Sequence, residues 1–449
     1  MTIATTNQSA PTAAPSPLLH RIVVVGGGAG GLELVTRLGD QLGRQHRAEV
    51  ALVDKARAHL WKPLLHEVAA GSMDSHAHEL DYLAQAHWHH FSFCHGALDG
   101  IDRARRLVLV APMTDESGAE IIPRRELAYD TLVIAVGSVT NDFGVPGVLG
   151  HAFRLDHAED AERFHRQLLN TCVRKNYAAG SHELDIAIVG GGATGVELVA
   201  ELHNTTRVLA AYGLQNFVPE RDIHLRLFDA GPRILPMLPE RIAEATTEVL
   251  RGLNIEVHSG EQVVEVGSDF VRTGTGSRFP ADLTVWAAGV RASRRLNGIG
   301  GLETNRANQL VVLPTLQTTR DPDIFAFGDC AACPRGDNKG NIAPTAQAAH
   351  QQASHLAKTI RRRFDGLAPL PFRYRDYGSL VSLGEYSTIG ALMGFISGKS
   401  FRVEGFYAKL MYLSLYKMHL MALHGFFKMA LDTVAQLIRH RIGPQVKLH

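Results

Sequence analysis

The chain carries an internal repeat that restricts the folds open to it more than any other feature. Residues 24–34 read VVGGGAGGLEL and residues 188–198 read IVGGGATGVEL, with eight of eleven positions identical. Each copy follows a short β-branched run, Ile22 to Val25 and Ile186 to Val189, and opens a helix-like stretch. Both copies keep the spacing G-x-G-x-x-G, at Gly26, Gly28 and Gly31 and at Gly190, Gly192 and Gly195. In a strand–loop–helix unit the first glycine allows the tight turn and the second lets a pyrophosphate approach the backbone. The third brings helix and strand together, and the helix N-terminus faces the phosphates. One such motif is weak; two, each between a strand and a helix, predict an α/β chain with two Rossmann-like dinucleotide-binding domains.

Each unit also supplies the acidic residue such a site uses. The strand Glu49 to Val53 runs into Asp54, 23 residues past Gly31, and the strand His224 to Phe228 runs into Asp229, 34 residues past Gly195. A carboxylate there accepts hydrogen bonds from ribose hydroxyls. The runs Thr131 to Gly137 and Thr284 to Gly289 form a second matched pair, both ending in small residues. A third strand, Asp323 to Phe327, ends in Gly328-Asp329 and brings the chain back to the first domain. The pattern implies one flavin dinucleotide and one nicotinamide dinucleotide.

Composition narrows the function classes. At 449 residues the chain exceeds a single domain two- to threefold. A net charge of +1 argues against nucleic acid as a partner. Four cysteines cannot staple this length and fit a reducing compartment. Residues 1–19 lack a basic n-region and an apolar core, and read as a disordered arm.

The stretches HLWKPLLHEVAAGS (59–72), AYDTLVIAVGS (128–138), IVGGGATGVELVAELHN (188–204) and WAAGV (286–290) are quoted as they stand, with TLQTTRDPDIFAFGDCAACP (315–334), APTAQAAHQ (343–351), YGSLVSLG (377–384) and RIGPQVKLH (441–449). In this order they resemble the type II NADH:quinone dehydrogenases, within the glutathione-reductase-like flavoproteins that carry two dinucleotide domains. The resemblance covers the chain after residue 20. It implies FAD on Gly26, Gly28, Ala29, Gly30 and Gly31, with Asp54 and Lys55 at the adenosine end. Lys62, Pro63 and Gly137 would lie near the isoalloxazine and Asp329 at the ribityl chain. Ala135, Ala346 and Gln347 would also contact FAD, and Ala346 to Gln351 match the family's A-Q-x-A-x-Q pattern at the quinone pocket. NADH would occupy Gly190, Gly192, Ala193, Thr194, Gly195, Glu197 and Asp229, with Ala288 and Gly289 on the nicotinamide side. Glu197, Gln347 and Gln351 are the implied catalytic residues. Asp229 departs from the glutamate common at that position.

The implied division gives residues 20–150 and 315–400 to FAD, 151–314 to NADH and 401–449 to a membrane-anchoring segment. The last 49 residues carry seven Lys or Arg against two Asp or Glu, and the apolar run Phe406 to Leu431 is interrupted by Lys409, Lys417 and Lys428. Lys417, His424 and Lys428 fall on one helical face with Leu415 and Phe426 opposite, the layout of an amphipathic helix lying in a bilayer interface. No run of about 18 apolar residues predicts a membrane span.

After Pro344, Thr345 opens a helix on which Gln347, His350 and Gln351 share a face. Cys330 and Cys333 read as two small thiols in a loop, and no ligand set predicts a metal. The expected activity is electron transfer from NADH through flavin to a membrane quinone, without ion pumping, at the cytoplasmic side of the cell inner membrane. A homodimer is left open. The alternatives are a sulfide:quinone oxidoreductase, which needs reactive cysteines at the flavin, and a flavin-bound redox sensor without quinone turnover.

Overall fold

The computed structural model describes residues 19–115, 117–177, 182–212, 218–336, 340–383, 388–393 and 400–404, and within the C-terminal stretch 416–423, 425–427, 429–431 and 433–435. The arm expected over 1–19 lies outside them except for its last residue, and so do Phe406, Lys409, Leu415, His424, Lys428 and Leu437.

The first unit contains β1 (His20–Val25), α1 (Ala29–Leu38), β2 (Ala48–Asp54), α2 (Leu65–Ala70), β3 (Ser92–His95) and β4 (Thr131–Ile134). Ile22 to Val25 are all buried, because β1 pairs in parallel with β2 on one side and β4 on the other and is covered on both faces. Between β3 and β4 the chain forms a three-stranded antiparallel sheet from Leu98–Asp102, Leu107–Val110 and Arg125–Ala128.

The second unit repeats this plan with α3 (Ala158–Asn176), β5 (Leu184–Val189), α4 (Ala193–Ala211), β6 (Ile223–Asp229), α5 (Glu240–Gly252), β7 (Glu256–Ser259) and β8 (Leu283–Trp286). Its five-stranded parallel sheet has Ala152–Phe153 at one edge, followed by β8, β5, β6 and β7. A three-stranded antiparallel sheet again precedes the last strand, here Val263–Val266, Phe270–Thr273 and Arg278–Pro280.

The chain then returns. β9 (Asp321–Ala326) pairs in parallel with β4, and Gln317–Thr318 closes the edge of a six-stranded first sheet. The following α6 (Ala346–Phe364) packs on α1. A fully buried carboxylate fixes that contact: Glu33 accepts from Arg37 Nε at 2.9 Å, Ser354 Oγ at 2.9 Å and His350 Nδ1 at 2.5 Å. A buried charge is tolerable only when paired and hydrogen-bonded in this way.

The C-terminal boundary differs from the expected one. Strands 378–382, 388–393 and 400–404 form one antiparallel sheet, so backbone hydrogen bonds run across residue 400 and the chain cannot be divided there. This sheet packs against α4 and α5 of the second unit, and Leu383 joins that unit's core. The strands 378–382 and 388–393 therefore do not belong with the first sheet, and residues 401–404 are strand, not helix. Residues 416–423 are helical. Tyr416, His419, Leu420 and Leu423 are buried, a one-face spacing, whereas Met418 and Met421 on the other side of this helix are exposed, as are Phe426, Phe427, Leu431 and Val434 past Gly425, which has φ +76°. Among the described residues no helix is long and apolar enough to cross a membrane.

The glycines of the first loop provide a test. A Cβ at Gly31 would collide with the carbonyl oxygen of Gly26, whereas one at Gly28 would meet nothing within 4 Å. Gly31→Ala is expected to cost about 1–3 kcal/mol of stability, and Gly28→Ala less than about 0.5 kcal/mol. Urea unfolding of the two variants checks this, and equal midpoints would contradict it.

Candidate active site: two matched dinucleotide cradles

Both glycine loops are built by the same contacts. The Gly26 amide donates to Val53 O at 2.8 Å and the Gly190 amide to Phe228 O at 2.7 Å. Both glycines have positive φ, +103° and +117°, a region costly for other residues. A side chain at either would strike the chain just past β4 or β8. Gly31 and Gly195 press on the carbonyls of Gly26 and Gly190. Gly28 and Gly192 alone in these motifs face open space, a cradle that any side chain would begin to fill. Ala193 and Thr194 are exposed at the second helix start, while Ala29 is half-buried at the first. A Cβ at Gly30 would strike the Phe327 ring, so the missing side chain there also serves packing.

Asp54 and Asp229 do more than the sequence predicts. Asp54 accepts from the amides of Gly27 at 2.5 Å and Ala56 at 2.7 Å. Asp229 accepts from Gly191 at 2.6 Å and Gly231 at 2.7 Å. Each carboxylate therefore pins the glycine loop to its neighbouring strand and keeps lone pairs for a ribose. The shorter side chain at Asp229 reproduces the geometry of Asp54.

Around the first cradle the structure gathers segments far apart in sequence. Lys62 Nζ donates to Ser138 O at 3.1 Å, and Ser138 Oγ donates to Asp329 Oδ2 at 2.7 Å. Gly137 has φ +69° with open space beside it, and Gly328, φ +71°, donates its amide to Gln352 Oε1 at 2.8 Å. Thr345 caps α6 by accepting from the Ala348 amide at 3.1 Å, so the helix N-terminus, at Ala346 and Gln347, carries its partial positive charge here.

Other implied residues are engaged elsewhere. Lys55 Nζ lies 2.7 Å from His157 Nε2, which directs it towards the N-terminus of α3 and not into the first cradle. Gln351 exchanges two hydrogen bonds with the backbone of Arg375, at 2.7 and 3.0 Å, so its amide holds a loop. Gln347 accepts from Tyr374 Oη at 2.6 Å through its carbonyl, leaving the NH2 to donate. Gln347, His350 and Gln351 thus share a helix but serve three separate contacts.

The two units meet beside these cradles. Ser138–Thr140 and Val290–Ala292 form an antiparallel ladder just past the two small-residue runs. Gly289, φ +86°, accepts from the Asn141 amide at 3.1 Å, with Ala288 before it. Glu197 is buried on α4, its Oε2 3.7 Å from Nδ1 of buried His66 on α2. His66 Nδ1 lies 2.9 Å from Pro63 O, and burial pushes its pKa down to about 4, so the ring is neutral at physiological pH. A carbonyl only accepts, so Nδ1 carries the hydrogen.

Sequence reasoning missed several of these residues. His66, held at Pro63 O, and His59 and Tyr82, both held at the carbonyl oxygen of Gly27 at 3.0 and 2.7 Å, carried no spacing signal, because each acts through a backbone carbonyl supplied by the fold. The glutamate position shared by both repeats was visible, but not that both copies would be buried beside a histidine from another segment, Glu33 with His350 and Glu197 with His66.

The cysteines do not suit redox chemistry. All are free; burial pushes Cys172 and Cys330 up to about 12 and Cys333 to about 11. The thiolate is the reactive species, and these thiols lack it at neutral pH.

Comparison with known proteins agrees with this architecture. Residues 20–353 match the family model of the pyridine nucleotide-disulphide oxidoreductases. The type II NADH:quinone oxidoreductase of Haemophilus influenzae is 41% identical over 96% of this chain and 100% of its own length. That of Staphylococcus aureus is 29% identical over 83% of this chain and 90% of its own. NDH2 of Plasmodium falciparum, solved with NADH, superposes with a TM-score of 0.79 at 18% identity, covering 95% of this chain and all of that one. The sulfide:quinone oxidoreductase of Aquifex aeolicus shares the fold less closely, with a TM-score of 0.69 at 17% identity, covering 95% and 96% of the two chains. The chain belongs to the pyridine nucleotide-disulphide oxidoreductase family and, within it, to the type II NADH:quinone oxidoreductases.

Proposed function

We propose that this chain transfers electrons from NADH through a non-covalent FAD to a membrane quinone, without ion pumping, while attached to the cytoplasmic side of the cell inner membrane. The observation that carries the reading is the duplicated cradle: two open glycine loops, each pinned by an aspartate, joined by the 138–140/290–292 ladder. The open face at Gly28 and Gly137 and the acceptor at Asp54 fit a flavin dinucleotide in the first cradle. Residues 20–150 with the return through β9 and α6 form the FAD domain in this reading, and 151–314 the NADH domain. FAD, when bound, supplies a hydride acceptor that can pass its electrons onward one or two at a time.

The protein's own groups bind, orient and shield. Asp54 and Asp329 would hold the ribose and ribityl ends of the flavin dinucleotide, and Lys62 is tied to the Ser138 carbonyl, while the Ser138 hydroxyl donates to Asp329. The N-terminus of α6, beside the first cradle, would favour negative charge on a flavin held there. Gln347 donates its free NH2 to a quinone carbonyl. Glu197, buried at the junction of the two units, is the protonatable group on the nicotinamide side. Steady-state quinone reduction tests the assignment: NADH is expected to support it and sulfide not, consistent with the protonated thiols. Quinone reduction by sulfide at a comparable rate would overturn it.

Asp229 also sets the nicotinamide preference, because its charge repels a 2′-phosphate. Arg233 does not offset it: its guanidinium donates to the carbonyls of Leu235, Pro236 and Leu238 at 3.0–3.2 Å. Asp229→Asn removes the charge and can keep the acceptor for Gly191 while giving up the one for Gly231. The NADH/NADPH ratio of kcat/KM is expected to narrow roughly tenfold, equivalent to about 1.4 kcal/mol.

Beyond Gly425, which has φ +76°, Phe426, Phe427 and Leu431 lie exposed, Phe427 83% and Leu431 73% accessible, and these apolar side chains supply the bilayer contact. Burying such side chains in an acyl boundary yields roughly 1.5–3 kcal/mol each. Phe426→Glu with Phe427→Glu is expected to move the protein to the soluble fraction while sparing reduction of a small soluble acceptor. Continued pelleting with membranes would count against a lipid contact, and a loss of dimers instead would assign the face to a second copy.

A further inference from the structure

The buried face of the C-terminal helix ends in a side-chain pair that the electron-transfer reading leaves unused. His419 and His59, 360 positions apart, are buried with Nε2 to Nε2 at 3.0 Å. His59 Nδ1 lies 3.0 Å from the carbonyl oxygen of Gly27, the residue whose amide donates to Asp54. Tyr82 Oη donates to the same carbonyl at 2.7 Å, so both lone pairs of Gly27 O are occupied.

Hydrogen positions follow from donor and acceptor chemistry. Burial pushes the His59 pKa down to about 4, so the ring carries one hydrogen at physiological pH. A carbonyl only accepts, which places that hydrogen on Nδ1 and leaves Nε2 as an acceptor. His419 must then donate from its own Nε2. The result is a directed relay from His419 through His59 to Gly27 O. Packing holds it in place: the Trp61 ring lies 4.2 Å from that of His419, and Trp61, Leu64, Tyr416 and Leu420 form a cluster that touches Ala29 and Ala346. The cluster that seats the helix therefore reaches the starts of both helices that border the first cradle.

We propose that His59 and His419 are positioning residues that couple docking of the C-terminal helix to the shape of the first dinucleotide cradle, so that bound dinucleotide and docked helix stabilise each other. The coupling is reciprocal by linkage: whatever the helix adds to dinucleotide retention, the dinucleotide adds to helix docking. A segment that meets a surface on one face and the glycine loop on the other ties cofactor retention to the seating of that segment. The proposal rests on the reading of the first cradle as the flavin site.

The test uses the full-length holoprotein, with flavin release after dilution followed by fluorescence and cleavage within 416–435 followed by limited proteolysis. His419→Ala is expected to speed release about tenfold, equivalent to about 1.4 kcal/mol, the loss of one buried hydrogen bond. His419→Phe keeps a ring against Trp61 without a donor and should release as fast as the alanine variant. His419→Gln restores an N–H donor and should stay within about threefold of the native rate. The double variant with His59→Ala should release no faster than the faster single variant, and removing flavin should speed cleavage of 416–435 in the native chain only. Wild-type retention in His419→Phe would overturn the relay in favour of packing, and so would multiplicative effects in the double variant. If His59→Ala does not fold, the His419 series decides alone. A native chain purified without flavin defeats the cofactor reading itself, whereas retained flavin with equal release rates defeats only the relay.

Discussion

The hydrogen bond from the middle glycine of each loop to the aspartate ending the neighbouring strand is the constraint on which the site depends. Gly27 to Asp54 spans 2.5 Å and Gly191 to Asp229 spans 2.6 Å. A glycine-rich loop has no side chains with which to hold itself, and glycine loses the most conformational entropy on ordering. A charged acceptor at a fixed strand end supplies a strong, directional restraint on that freedom. With the loop so held, the third glycine can press on the first, and the second is left facing the space a pyrophosphate needs.

The remainder of the site is an arrangement of buried polar groups around these two loops. Glu33 joins α1 to α6 through His350 and Ser354, and its repeat counterpart Glu197 meets His66 at the junction of the units. The same sequence position thus tightens the first unit internally and faces the other unit in the second. Duplication supplied the carboxylate twice, and the neighbours of each copy gave it a different task. Gln351 and Lys55 show the converse, since their types and positions suited a ligand but their partners are protein atoms.

Much of the fold was legible because its signals are local. Glycine spacing, β-branched runs and the strand-end aspartates each lie within a few dozen residues and report a strand–loop–helix unit by themselves. The return of the chain was readable from Asp323 to Asp329 for the same reason, and β9 does pair with β4. The three-stranded sheet over 378–404 was not, because its strands gain their meaning from pairing with each other and from packing on α4 and α5. A boundary drawn by charge and hydropathy at residue 400 therefore fell within a strand.

The C-terminal stretch separates the two kinds of information most clearly. Its sequence declared an amphipathic helix, since apolar periodicity belongs to the chain alone. Which apolar face is covered depends on what lies opposite. Trp61, Leu64 and His59 arrive from more than 350 residues away, and only the fold brings them to Tyr416, His419 and Leu420. The sequence by itself determined two dinucleotide units, their glycine loops and their carboxylates, because these are properties of short contiguous segments. Tertiary structure alone decided which histidines meet which carboxylates and carbonyls, because a buried polar group is defined by partners that chain closure, and not spacing, puts within 3 Å.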